Sequence, residues 1–156
     1  MGTSGLFGFY YKGKYYVSYN HFDSYKSGLG QDIIDQIKKA ITEGTFEEWK
    51  ELLGKIIEVD QRIPPSPEEI EKLKKYANLG VSHQKYEDWY CLLHHCQGSL
   101  EKVLRSGYIW NCTLDNGIPD WDYYNYIVNF DTEKLDFWRY DTLKKSYSLD
   151  SLPDWQ

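Results

Sequence analysis

The sequence has no run of 18 apolar residues and no basic stretch leading into an apolar one, so neither a membrane-crossing helix nor a secretory signal is expected. Cysteine is scarce and odd in number, three in 156 residues. That argues against a secreted disulfide framework and fits a reducing, intracellular setting. Positive charge is short as well: 18 Lys and Arg against 24 Asp and Glu give a net charge of −6 at pH 7. A protein that neutralises phosphates needs a basic stripe, so nucleic acid is not expected as a partner, and packing accounts for Tyr and Trp that would otherwise stack on bases. Four motifs are also missing. There is no Gly-Lys-Ser/Thr phosphate loop, no Gly-x-Ser-x-Gly elbow and no paired Cys/His spacing, and Ile33 stands where a dinucleotide fingerprint needs its third glycine.

Aromatic residues are abundant: 6 Trp, 15 Tyr and 6 Phe. Tyr favours strands and offers both an apolar ring and a hydrogen-bonding tip, so the composition points to a sheet-containing fold. Phe7 to Tyr11 and Tyr15 to Tyr19 flank Lys12-Gly13-Lys14 and predict a β-hairpin. Ile33, Ile34, Ile37 and Ile41 recur at helical spacing and predict a helix of about 12 residues ended by Gly44. Thr45 and Glu48 have the spacing of a capping box for a second helix with the stripe Phe46, Trp49, Leu52, Leu53 and Ile56. After the rigid Ile63-Pro64-Pro65, Ser66, Pro67 and Glu69 open a third helix carrying Ile70, Leu73 and Ala77, with Gly80 as its stop. A fourth helix is expected around Tyr86 to Cys96 and a fifth around Leu100 to Arg105, closed by Gly107.

Beyond Gly107 the period falls to two. Tyr124, Tyr126, Val128 and Phe130 alternate with Asn125, Ile127 and Asn129, and Leu135 to Tyr140 follows as a second strand. The expected fold is therefore α+β: one domain over residues 1–156, an antiparallel sheet built from an N-terminal and a C-terminal hairpin, covered by about five central helices.

Candidate sites are few. Asn20-His21-Phe22-Asp23-Ser24-Tyr25-Lys26-Ser27-Gly28-Leu29-Gly30 joins a strand to a helix, where ligand loops often sit. In the functional reading His21 and Asp23 form an oriented base, while Asn20, Ser24, Lys26, Gly28 and Gly30 hold a ligand. In the structural reading Asn20, Asp23 and Ser24 satisfy turn backbone and the glycines lead the chain into the helix. Cys91, His94, His95 and Cys96 form a second cluster. On one helix Cys91 and His95 could share a metal with His21, His83 or Cys112, but buried cysteines and surface histidines need no metal. No metal and no cofactor are assigned.

Among nucleophiles Ser4, Thr3, Cys112 and a free N-terminal Gly2 are available without a triad order. Gly2 meets a myristoylation signal only in part, because Leu6 stands where Ser or Thr is required. Asp120 and Asp122 flank Trp121 in a turn that reads as solvated. The sequon Asn111-Cys112-Thr113 matters only in a secretory protein. Trp121, Tyr123 and Trp155 could anchor a protein partner, or Trp155 could fold back onto the sheet.

Met1-Gly2-Thr3-Ser4-Gly5-Leu6, with Tyr19-Asn20-His21-Phe22-Asp23-Ser24-Tyr25 and Ser27-Gly28-Leu29-Gly30, resembles a family of proteins from large double-stranded DNA viruses of amoebae, the Marseillevirus group. Some fungal and phage proteins have similar openings. The likeness covers the first 30 residues well and the rest loosely, around Trp89, Tyr124 to Tyr140 and Leu152-Pro153. Ser4 and Lys26 stand where that family commonly has Arg and Pro. The resemblance implies a viral or microbial origin and carries no activity with it.

Together these readings favour a viral protein acting as a non-enzymatic binding or host-interaction module. It would be located in the host cytoplasm or the virion, with a viral or host protein as partner, a homodimer possible in principle, and no membrane. The alternative is a small hydrolase or nucleotide-handling enzyme using His21, Asp23 and the Gly28 to Gly30 loop.

Overall fold

The computed structural model describes residues 3–156, so the readings placed on Met1 and Gly2 lie outside the described residues. The fold is α+β, with N- and C-terminal strands meeting in one sheet as expected. β1 (Gly5–Tyr11) and β2 (Lys14–Asn20) form the first hairpin, whose turn is held by Asp131 accepting from the amides of Lys12 and Gly13. Later come β5 (Tyr124–Asn129), β6 (Lys134–Arg139) and β7 (Thr142–Ser148), and the order across the sheet is β2-β1-β5-β6-β7.

Two features depart from the expected sheet. β1 and β5 run parallel, Leu6 opposite Asn125 and Phe9 opposite Val128, so the two hairpins meet through a parallel seam. A third C-terminal strand, β7, pairs with β6 through a bulge at Phe137/Trp138. Its exposed outer edge carries Lys144 and Lys145, and a bulge with edge lysines discourages further strand pairing.

One sheet face carries Phe7, Phe9, Tyr126, Val128, Leu135 and Phe137 into the core beneath the helices. α1 (Gln31–Glu43) buries Ile33, Ile34 and Ile37 and ends at Gly44, whose φ of 76° is the left-handed conformation glycine adopts freely. Ile41, at the edge of that stripe, stays 44% exposed. α2 (Phe46–Gly54) buries Phe46, Trp49 and Leu53 and stops before Ile56. The box at Thr45 and Glu48 does not form. Thr45 Oγ1 turns back to Ala40 O at 3.4 Å, and Glu48 is held by Arg105 at 2.6 and 3.2 Å.

α3 (Pro67–Leu73) has the capping box at Ser66 and Glu69. It then tightens into a 3₁₀ turn at Lys74–Tyr76, well short of Gly80. The long helix expected over Tyr86 to Cys96 is broken into α4 (Trp89–Leu92) and a 3₁₀ turn at His94–Cys96, because Leu93 leaves helical backbone at φ −101°, ψ 9°. α5 (Leu100–Ser106) begins with Ser99 accepting from the Lys102 amide and closes at Gly107. β3 (Ile57–Glu58) and β4 (Tyr108–Ile109) form a short parallel pair beside it.

The opposite sheet face is covered by the segment after β4. Trp121 stacks on Trp138 at 4.4 Å and meets Tyr15 edge-on at 5.9 Å, over Leu6, Val17 and Ile127. The same segment closes the β2 edge: Asn111 accepts from the Val17 amide and donates to Tyr15 O, both at 2.9 Å, and the Cys112 amide donates to Val17 O at 2.8 Å. The Asn111 amide of the sequon is thus engaged within the fold. No helix among the described residues is long and apolar enough to cross a membrane.

Candidate functional site

The loop after β2 is built almost wholly from internal contacts. Asn20 donates to Phe22 O at 2.7 Å and to Ser24 Oγ at 2.9 Å. Ser24 is fully buried, with its carbonyl accepting from the Tyr126 hydroxyl at 2.8 Å and its amide donating to Thr3 O at 2.9 Å. Asp23 sits at φ +54°, a conformation Asp tolerates, and its carbonyl accepts from the Leu29 amide at 2.8 Å. Among the described residues no hydrogen bond or ion pair joins Asp23 to His21.

The glycines of this loop make room for neighbours. A Cβ on Gly28 would lie 2.1 Å from Asp23 O, and one on Gly30 would lie 2.8 Å from the Trp155 ring. Lys26 places its ammonium 4.9 Å from the Phe137 ring centroid and 5.5 Å from that of Trp155. Trp155 itself folds back on Tyr126, Phe137 and Tyr147, with its amide on Gln31 Oε1 at 2.8 Å. So Lys26 and Gly30 shape a seat for the chain's own Trp155, while Asn20, Ser24 and Gly28 hold the loop's own backbone.

His21 faces elsewhere. Its Nδ1 is 2.8 Å from the Tyr19 hydroxyl, and its backbone amide donates to Gln97 Oε1 at 3.0 Å. An amide N–H can only donate, so Gln97 must present Oε1 there and Nε2 on its other side, where His94 Nδ1 lies at 3.5 Å. His94 and His95 are on the 3₁₀ turn, their rings 5.9 Å apart, and Tyr90 lies 5.4 Å from the His94 ring. Burial, then the charges of His95 and His21, hold the His94 imidazole below its usual range, which favours its neutral form.

Beside this chain of polar groups lies an apolar cleft of about 60 Å³. At one water per roughly 10–15 Å³ it has room for roughly four to six waters, the space of a small ring or branched alkyl group. Trp89 and Tyr108, nearly parallel at 5.9 Å, are buried at its floor, and half-buried Tyr19, Tyr90 and Trp110 form its walls. Ser18, Gln97, Cys96 and Cys112 add polar atoms. Burial pushes the Cys96 thiol up to about 12 and the Cys112 thiol up to about 11, the latter helped by Asp120. Both are neutral near pH 7 and poor nucleophiles.

Three separated pieces of chain make the cleft, and each is pinned. Trp89 Nε1 donates to Ile63 O at 2.8 Å, which fixes the floor to the connector before α3. Gln36 of α1 donates to Gly98 O at 2.9 Å and accepts from the Leu100 amide at 2.7 Å, which fixes the turn bearing Gln97. Pairing of β4 with β3, and of Asn111 and Cys112 with β2, fixes Trp110.

Cys91, His94, His95 and Cys96 do not converge. Cys91 is buried with its thiol on Val81 O at 3.0 Å, and Cys96 points to Lys102 O at 3.7 Å. Among the described residues no group of three or more His, Cys, Asp or Glu is arranged to hold a metal ion. Tyr90, Gln97, Tyr108 and Trp110 carry the cleft, yet no motif singles them out in the sequence. The nearest signal is the two aromatic groups Trp89-Tyr90 and Tyr108-Ile109-Trp110, which stand far apart in the sequence.

Fold and cleft together define an α+β protein with an aromatic-walled recess at one edge of its sheet. The chain matches no protein-family model, and no curated protein or solved structure is significantly similar to it.

Proposed function

We propose that this protein is a non-enzymatic binding module and that its binding site is the aromatic cleft between β2, α4 and β4. The observation that carries this reading is the wall of half-buried rings, Tyr19, Tyr90 and Trp110, around an open apolar space. Concave, mostly apolar sites with a few fixed polar groups are where ligands and anchoring side chains bind. The likeness of the first 30 residues to proteins of the Marseillevirus group supports a viral source, with a viral or host protein as the partner. Pairing of two copies through the β7 edge would set Lys145 against Lys145 at the centre of the strand, which disfavours a dimer through that edge.

A hydrolytic or nucleotide-handling reading draws its support from the contact between the Tyr19 hydroxyl and His21, a possible acid-base pair. A thermal-unfolding screen of the purified protein against nucleotides, phosphates, sugars, metals and small apolar compounds separates the two. Saturation at about 100 times the dissociation constant adds roughly 2.7 kcal/mol, or roughly 5–10 °C. The binding-module reading predicts a shift lost in Trp110→Ala and kept in His21→Ala. A shift lost only in His21→Ala, together with turnover of the compound, would replace it with the enzymatic one.

A further inference from the structure

The charge around the cleft narrows what it can take. Five of its lining residues are aromatic, Tyr19, Trp89, Tyr90, Tyr108 and Trp110, and none is Lys or Arg. Two carboxylates sit on the segment after β4. Asp120 is beside the cleft, its amide donating to Cys112 O at 3.0 Å, and after burial its charge helps raise the Cys112 thiol; the Tyr19 phenol is raised chiefly by burial, with Asp122 a lesser contributor. Among the described residues neither carboxylate has a cationic partner. The whole chain carries −6.

Aromatic faces carry negative electrostatic potential, and a desolvated cation among several of them gains more than an uncharged group of the same size. This fold already uses that attraction elsewhere. Lys26 lies on Phe137 and Trp155, Arg139 lies 4.5 and 4.8 Å from the Tyr123 and Tyr124 centroids, and Lys72 takes up one side of Tyr108 at 5.7 Å without lining the cleft. Among the described residues no cation lines the cleft itself. A strongly hydrated ammonium suits so apolar a recess poorly, whereas a methylated one sheds its water readily and fills the space of a small branched alkyl group.

We propose that the cleft is an aromatic cage for a quaternary ammonium group, presented by a trimethylated lysine of a partner protein. This rests on the binding-module reading and adds the chemistry of the ligand. A methylated lysine is favoured over a free small cation because the half-buried walls, Tyr19, Tyr90 and Trp110, leave the recess reachable from solvent, so a side chain can enter end-on while its backbone stays outside. The net acidity of the chain suits a basic partner segment.

The test is a calorimetric titration of the full chain with choline and with 3,3-dimethylbutan-1-ol, its uncharged counterpart of nearly equal shape. Two peptides of one basic sequence follow, with and without trimethylation of a central lysine. The proposal predicts that choline binds at least tenfold more tightly than the alcohol, and the trimethylated peptide at least tenfold more tightly than the unmodified one. It also predicts that Tyr90→Leu and Trp110→Leu, which keep the cleft apolar but remove ring faces, weaken choline and leave the alcohol within twofold. Circular dichroism establishes that each variant is folded, and either variant alone suffices.

Equal binding of choline and the alcohol would overturn the cage while leaving the binding module standing. Binding of choline with no difference between the peptides would overturn the lysine source. If neither choline nor the alcohol binds, the binding-module reading falls and the cage with it.

Discussion

Trp49 is the largest fully buried side chain, packed between Phe9 at 6.2 Å and Phe46 at 5.6 Å. Truncation leaves a cavity that its rigid neighbours cannot close, so Trp49→Ala is expected to lower stability by about 3–5 kcal/mol in denaturant unfolding. A loss under about 1 kcal/mol would show that the site collapses freely. Gly30 is a sharper test of the C-terminal seat. Its missing Cβ would meet Trp155 at 2.8 Å and Tyr126 at 2.9 Å, so Gly30→Ala should cost about 1–3 kcal/mol by overpacking. The same substitution in a Trp155→Ala background should cost less, since one of the two clashes is gone. Additive losses in that double-mutant cycle would mean the two residues do not share the site.

At the scale of elements, side-chain caps separate two helices that look alike in sequence. Ser66 accepts from the Glu69 amide, whereas Thr45 makes no cap bond to its helix. Ser66→Ala is therefore expected to cost about 1 kcal/mol and Thr45→Ala under about 0.5 kcal/mol, read from urea midpoints. Local signals made the hairpins, the Ser66 box, the Gly44 and Gly107 stops and the alternation in β5 and β6 legible from sequence. They failed where distant packing decides. A period of two says nothing of strand direction, so the parallel seam between β1 and β5 was hidden. β7 is an edge strand, mostly polar and exposed, and gives little alternation to read. The helix through His94 was legible in its period but is broken where Leu93 leaves helical backbone. The loop at His21 stood out for its glycines and polar residues, which are turn chemistry here. The cleft is assembled from residues 18–19, 89–112 and their supports, and no single window contains it.

For the molecule as a whole, pH dependence follows from His94. Its folded-state pKa is held below the usual 6.5 by burial and by His95 and His21. A depressed histidine favours the unfolded state once that state takes up a proton. Its stabilising contribution is therefore full above about pH 6.5 and is lost as pH falls through 6.5 toward the depressed value. Thermal melts between pH 7.5 and 5 should decline more steeply for the native sequence than for His94→Gln. Identical slopes would place His94 in a solvated setting. The central claim is that the cleft is where this protein meets its ligand, and its six tryptophans report on that directly. Trp89 and Trp110 line the cleft, Trp121 and Trp138 cover the opposite sheet face, Trp49 lies in the core and Trp155 in the C-terminal seat. We would follow the six indole N–H resonances while titrating choline and the uncharged alcohol. The account predicts saturable shifts at Trp89 and Trp110 with the other four unmoved. Shifts centred on Trp121 and Trp138, or none at any tryptophan, would contradict it.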